Sequence, residues 1–458
     1  MIKDAIQLED LIATTPALGP VAATTLGALY RHPSAPYWYQ GAGDRLSLAD
    51  LDRVRAFAGT LATQRDGRER RPTPAILAWA RDRIAATPFL RRLVKDRELA
   101  SDWTALPSTG RADLAQGPEY WVPDDADLAR MILYRTAGTS GHALGVPSDP
   151  VAVNAYLPLI QYALGRWGLT LELAPERVSH FLVGHQARTV SYPASFSYWN
   201  GAGFAKLNLH PDAWRDPADA QAYFDAFQPQ FLAGDPLSFA AMANLGLVAR
   251  PLALLTTAVA MSPALKDLLR EQYGCPVIDW YSLTETGPLA YACPLGEGYH
   301  WLPPDIHLET LGQDGRPTEG VGEICVTGGR NPFVPLFRYR TGDWGRLDFS
   351  PCACGDPMPR LLDLEGREPV ALEDGDGVPV NPVDVSRVLR EFPVLQHALT
   401  QFGDRRVRVE VRPVAGRALD LASLRAALGA LFGGAPLEVQ VNLDLGQAAK
   451  VIPYRREP

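Results

Sequence analysis

The 458 residues are 47% hydrophobic and 21% charged, the balance of an ordinary folded chain with room for about three domains at roughly 150 residues each. Lys plus Arg is 44 against 52 for Asp plus Glu, a formal net charge of −8, which removes any global electrostatic drive toward nucleic acid or anionic membrane. The 40 Gly and 40 Pro are spread along the chain, which argues against a fibre or a disordered tail.

Residues 1–10 lack the basic start and apolar run of a secretory signal, and no later stretch approaches the roughly 18 apolar residues of a membrane helix. To about residue 125 the pattern is mainly helical, with apolar residues at three-to-four spacing over Leu8–Tyr30, Leu48–Thr63 and Ala75–Val94. Strands are predicted at Met131–Tyr134, Val178–Val183, Phe231–Ala233 and Leu252–Val259, with a helix at Ala218–Phe227. Ser262-Pro263 reads as an N-cap and first-turn proline for a helix that runs to Tyr273 and stops at Gly274. Strands follow at Pro276–Trp280 and Gly322–Thr327.

The strand–helix alternation predicts an α/β fold with a largely parallel sheet. Gly, Asp and Pro in quick succession after Gly366-Arg367 mark a boundary. Beyond it, helices at Asp384–Phe392 and Leu421–Phe432 and strands at Arg406–Val411 and Leu437–Leu443 form a second α/β module. The expected organisation is 1–125 as the helical start of a large domain, 126–365 as its binding core, and 366–458 as a C-terminal lid. The five cysteines (Cys275, Cys293, Cys325, Cys352, Cys354) are odd in number and clustered, which argues against a disulfide framework and for a reducing, cytoplasmic compartment.

Three segments offer chemistry. Tyr134-Arg-Thr-Ala-Gly-Thr-Ser-Gly141 follows a strand and either offers backbone N–H and hydroxyl groups to an anion such as phosphate or is simply a turn. It is not a Walker loop, and no GxSxG occurs in the chain. Asp279-Trp-Tyr-Ser-Leu-Thr-Glu285 sets a carboxylate just past a strand, where α/β sheets bind ligands; it would hold Mg²⁺ there or stand as an ordinary surface glutamate. Arg338-Tyr-Arg-Thr-Gly-Asp343 sets an acid after a glycine, suited to a ribose diol or to closing a turn.

In this order the segments resemble the SSGTTG, YGxTE and YRTGD motifs of the adenylate-forming enzymes. Within them the chain resembles the phenylacetate–coenzyme A ligase branch: Leu106-Pro-Ser-Thr-Gly-Arg-Ala-Asp-Leu114 is similar to LPxxxKxDL. Pro351-Cys-Ala-Cys-Gly355, Pro359-Arg360, Gly366-Arg367 and Val380-Asn-Pro382 follow the branch's later pattern. The resemblance covers about residues 80 to 456. It implies a large N-terminal domain with mostly parallel sheets and a small mobile lid. It also implies a two-step reaction, in which a carboxylate attacks the α-phosphate of ATP and a thiol or amine then displaces AMP from the acyl-adenylate. Coenzyme A is the leading acceptor. An amine or carrier-protein thiol is the alternative, and a nucleotide-binding protein that has lost adenylation is a third reading.

Carried over by residue, Thr136, Gly138, Thr139, Ser140 and Gly141 would cradle phosphate, and Thr284 and Glu285 would serve catalysis, with Glu285 on Mg²⁺. Tyr281 would lie against adenine, Asp343 would bind the ribose, and Arg360 and Arg367 would sit near the nucleotide. The chain departs from the pattern at His142, at Glu368-Pro369 and at Gln447, where lysine, a hinge aspartate and a catalytic lysine are usual. Lys450, three residues on, either replaces that lysine or is a solvated tail charge. Cys293, His300, Cys352 and Cys354 match positions that bind structural zinc in some members, with buried free thiols as the alternative. Cys275 and Cys325 are expected in the core. Tyr192, Phe196, Trp199 and Ala258 fall where the family lines its pocket for a small, aryl-type acid, or are core. His185, Arg188 and His210 would meet a polar substrate group or lie on the surface. The segment Thr257–Ser262 replaces the usual Gly-x-Glu-Pro. No nucleic-acid or membrane partner is expected, and the branch contains homodimers.

Overall fold

Proline decides where several helices begin, because its fixed φ suits the first turn and its missing N–H is not needed there. Pro20–Arg31, Pro74–Ala86, Pro88–Val94 and Pro263–Tyr273 all start this way, and the Thr73 and Ser262 hydroxyls cap two of them. The same rule splits two expected helices. Leu8–Tyr30 is divided into Leu8–Ala13 and Pro20–Arg31, and Ala75–Val94 is interrupted at Thr87-Pro88. Leu48–Thr63 forms as read, and Pro263–Tyr273 ends on Gly274 in the left-handed region at φ 64°. The computed structural model describes residues 7–457 apart from 64–66, 68, 96, 100–102, 136–143, 188, 259–260, 367–369, 371, 447–450 and 452.

Among the described residues, thirteen strands join in one sheet. Val277–Leu283, Ala253–Thr256, Phe231–Gly234, Val178–Gly184 and Ala202–Asn208 run parallel in that order, and Tyr192–Phe196 closes the edge antiparallel. The parallel strands are covered on both faces, so they read as unbroken apolar runs. Val277, Leu254 and Leu232 enter one core with Phe181 and Leu265, while their neighbours Ile278, Leu255 and Phe231 enter another with Leu159 and Trp199.

On the other side of Val277–Leu283 the order continues Gly287–Ala292, Tyr299–Trp301, Arg360–Glu365, Leu336–Asp348, Gly322–Gly328, Ile306–Leu311, all antiparallel. The parallel arrangement is thus concentrated in one half; in the other, among the described residues, the two-residue strand Thr109–Gly110 alone pairs in parallel, along Leu336–Asp348.

A separate four-stranded sheet lies beyond residue 370, in the order Leu437–Val441, Val407–Pro413, Val394–Gln401, Tyr454–Arg456. With the helices Pro382–Arg390 and Leu421–Phe432 it encloses its own core of Val385, Leu389, Leu399, Val409, Leu424 and Phe432. Arg387 reaches Asp363 at 3.0 Å and Arg390 reaches Glu365 at 2.8 Å, joining this unit to the end of the large sheet.

Candidate active site

The site forms where the strand Val277–Leu283 turns back into Gly287–Ala292. Leu283 pairs with Gly287, which puts Thr284 and Glu285 at the tip of a hairpin. Thr284 is exposed, but Glu285 is only 5% exposed despite its place in a turn. The strand Leu336–Asp348 covers it: the Tyr339 hydroxyl donates to Glu285 Oε1 at 2.8 Å. Thr109-Gly110 pairs in parallel with Tyr339-Arg340, and Arg111 Nη1 then lies 4.0 Å from the same oxygen.

Four residues after Tyr339, Asp343 accepts from the Tyr281 hydroxyl at 2.9 Å. The Thr341 hydroxyl receives the Asp343 N–H at 3.1 Å, and Glu323 receives the Gly342 N–H at 3.0 Å, so the turn that presents Asp343 is held from both sides. Burial pushes the Tyr281 phenol well up, with Asp343 pushing the same way; burial and then Glu285 do the same to Tyr339. Both phenols therefore stay protonated donors at neutral pH, fixing two carboxylates on one wall. Gly366 lies beside them: a Cβ there would meet Asp343 Oδ1 at 3.7 Å.

The strand Ile132–Arg135 pairs with Gly145–Ser148, bringing together the two ends of the predicted phosphate segment. Thr136, Gly138, Thr139, Ser140, Gly141 and His142 themselves lie outside the described residues, as do Arg188, Arg367, Glu368, Pro369, Gln447 and Lys450. Tyr156 connects this region to the hairpin. Its ring occupies the space a Cβ on Gly287 would need, at 2.9 Å, and Gly287 at φ 69° is the one residue type suited to both demands. Burial raises the Tyr156 phenol to about 12, and Tyr134 and Glu285 both lie close enough to add to that rise.

Arg360 is not brought to these residues. Its guanidinium is held by Glu297 and Asp348 and lies 3.8 Å from Cys352 Sγ, because the strand Arg360–Glu365 begins at the cysteine cluster. Trp199 is fully buried among Phe196, His180 and Phe231, so it belongs to the core rather than to a pocket wall. Phe196 stacks on His180, and Tyr192, pushed up to about 12 by burial, lies near Tyr134. Ala258 is exposed at the carboxyl end of a parallel strand with φ 75°. His185 and His210 face each other with ring centres 5.7 Å apart. The roles of Tyr339, Thr341 and Arg111 were not legible as such, although a T-x-D spacing signals the Thr341–Asp343 turn.

Cys293, His300, Cys352 and Cys354 converge, with their four ligand atoms within 4.8 Å of one another. Cys293 and Cys352 sulfurs are 3.7 Å apart, close to the edge of about 3.8 Å that a tetrahedron with Zn–S near 2.3 Å requires. His300 Nε2 is 3.1 Å from Cys354 Sγ, while Nδ1 lies 3.0 Å from the Met358 carbonyl, the arrangement that fixes a metal-binding tautomer. Asp356 lies behind it, paired with Arg166 at 2.9 Å and receiving the Tyr291 hydroxyl. The donor set fits Zn²⁺. Cys275 and Cys325 are buried elsewhere, as expected.

The sheet order and the C-terminal unit give the chain the fold of a solved acyl-CoA ligase. 2-Hydroxyisobutyryl-CoA ligase in the postadenylation state, in complex with R3-HIB-AMP, matches with a TM-score of 0.61 at 15% identity, over 88% of this chain and 89% of that one. An open conformation of that ligase, in complex with 2-HIB-AMP and CoA, matches with a TM-score of 0.56 at 15% identity, over 88% and 91%. No family model matches the chain, and no curated protein matches it in sequence. No helix among the described residues is long and apolar enough to cross a membrane.

Proposed function

We propose that the chain is an ATP-dependent acid–thiol ligase that forms an acyl-adenylate, releases pyrophosphate, and passes the acyl group to coenzyme A. The observation that carries this reading is the pair of tyrosine-held carboxylates, Glu285 and Asp343, beside the strand that leads into residues 136–143. Asp343 accepts hydrogen bonds from the ribose hydroxyls, Tyr281 lines the purine side, and the hydroxyls of Thr136, Thr139 and Ser140 contact the phosphates. Glu285 fits Mg²⁺, a hard cation that takes carboxylate oxygen and would offset charge on the phosphates. Thr284 stands beside it at the hairpin tip. Lys450 supplies a cation during adenylation, a role resting on sequence alone.

A small carboxylic acid with an aryl or related body is the proposed substrate, supported by Tyr192, Phe196 and the phenylacetate-ligase-like motifs. Cys293, His300, Cys352 and Cys354 would hold a Zn²⁺ ion that would link the two loops in a structural rather than a catalytic role. Residues 1–365 act as the nucleotide- and acyl-binding body, and 366–458 rotate as a lid between half-reactions.

The test is carboxylate-dependent ATP–pyrophosphate exchange over a panel of acids, followed by product mass with coenzyme A and with amines. An acyl-CoA mass supports the assignment, and an amide mass would move the acceptor to an amine. Exchange that does not depend on a carboxylate would contradict it.

A further inference from the structure

We propose that Lys206 is a specificity-determining residue that receives a second anionic group at the far end of the acid, an inference that rests on the adenylation reading above. Lys206 lies within the large sheet, on Ala202–Asn208, with Tyr192 in register on one side and Leu182 on the other. Leu182 is in turn in register with Ala233, which packs against the core of Trp199 and Phe231. Partners in register share a face, so Lys206 stands on that side of the sheet. Lysine is seldom taken into such a row without a counter-charge.

Solvent reaches the two faces differently. Phe181, Val183, Ala205, Leu207 and Leu232 are buried against the opposite core. Leu182, Lys206 and Ala233 are only half-buried, although each lies on a strand flanked on both sides. Water therefore enters this face towards the carboxyl ends of the parallel strands, where α/β sheets take their ligands.

The opening is lined by donors without acceptors. Among the described residues no ion pair or hydrogen bond meets the Lys206 ammonium, and burial lowers it from its ordinary value with no carboxylate to offset the fall. The hydroxyls of Tyr192, Tyr134 and Tyr156 likewise make no hydrogen bond among the described residues, and Tyr134 lies near both of the others. Arg45 adds a positive charge close to Tyr134. An ammonium and phenols with unused protons match an acceptor-rich anion, a carboxylate above all. The carboxylate that reacts with ATP is consumed at the α-phosphorus, so the anion that Lys206 meets is a second one. Lys206 is also four strands from Val277–Leu283 in the sheet order, and so serves another part of the bound molecules than Glu285 does. The substrate class is an acid with a terminal second anion, a dicarboxylic acid in the simplest case.

ATP–pyrophosphate exchange with paired acids tests this: benzoate, phenylacetate and hexanoate against terephthalate, homoterephthalate and adipate. Wild type is expected to favour a diacid over its paired monoacid about tenfold or more in kcat/KM. Lys206→Met is expected to lose that preference while its rate with monoacids stays within about threefold, and Lys206→Arg to keep part of it. A wild type that prefers monoacids, a preference unchanged in Lys206→Met, or an equal loss with both kinds of acid would overturn the proposal and leave adenylation standing. If the wild type shows no exchange with any acid, the adenylation reading fails instead, and calorimetric titration with the same diacids decides the anion site. Binding that Lys206→Met loses supports it; no binding, or equal binding by both proteins, overturns it.

Discussion

Two phenols do much of the work at the candidate site. Tyr339, buried, and Tyr281, half-buried, remain protonated, and each gives its one proton to a carboxylate. A hydrogen bond to a charged group contributes about 1.5–3 kcal/mol, so Tyr339→Phe is expected to lower kcat/KM for exchange by roughly ten- to a hundredfold. It should also raise the Mg²⁺ concentration needed for half-maximal rate. An unchanged Mg²⁺ dependence would contradict that role for Tyr339. These pairings were not legible in the sequence. Tyr281 and Asp343 lie on strands with three others between them in the sheet order, and meet only because the sheet curls. The residues themselves were legible, since each sits in a short contiguous motif.

At the level of elements, local chemistry was readable wherever one residue carries the signal. Ser262, Pro263 and Gly274 bound their helix as expected. The strand Val394–Gln401 was missed because its burial does not follow polarity: Gln401 is fully buried, donating to the Glu373 carbonyl at 2.6 Å and accepting from the Glu373 N–H at 2.9 Å. Tyr454–Arg456 was missed because three residues show no period. The cysteine cluster joins two elements distant in sequence, the Cys293–His300 turn and the Cys352–Cys354 loop. Cys352→Ser is expected to remove one equivalent of zinc per chain and lower Tm by about 5 °C or more, checked by elemental analysis and thermal melting. Wild-type protein purified without zinc would exclude the metal.

Across the whole molecule, the buried His180 and His307 and the half-buried His397 couple stability to pH. Burial holds His180 down at about 3, and His307 and His397 at about 4. Below the unfolded value of about 6.5 the unfolded chain takes up protons that the folded chain refuses, so acid favours unfolding. Each histidine costs about 1.4 kcal/mol at pH 5.5 relative to neutral pH, with the loss continuing until its folded value is reached. Urea unfolding from pH 7 to 4.5 should show stability falling on acidification, and His180→Asn should flatten that slope by about one proton. An unaltered slope would mean that His180 takes up its proton in the folded state too. The α/β fold and the C-terminal unit were legible at this scale because strand and helix patterns alternate. The antiparallel half was not, because pairing direction depends on connections that carry no periodic signal.

The central claim is acyl-adenylate formation, and labelled pyrophosphate reads it most directly. With Mg·ATP and a panel of small aryl and alkyl carboxylic acids, the purified chain is predicted to move label into ATP only when an accepted acid is present. A folded protein that binds Mg·ATP and moves no label with any acid on the panel would contradict the account.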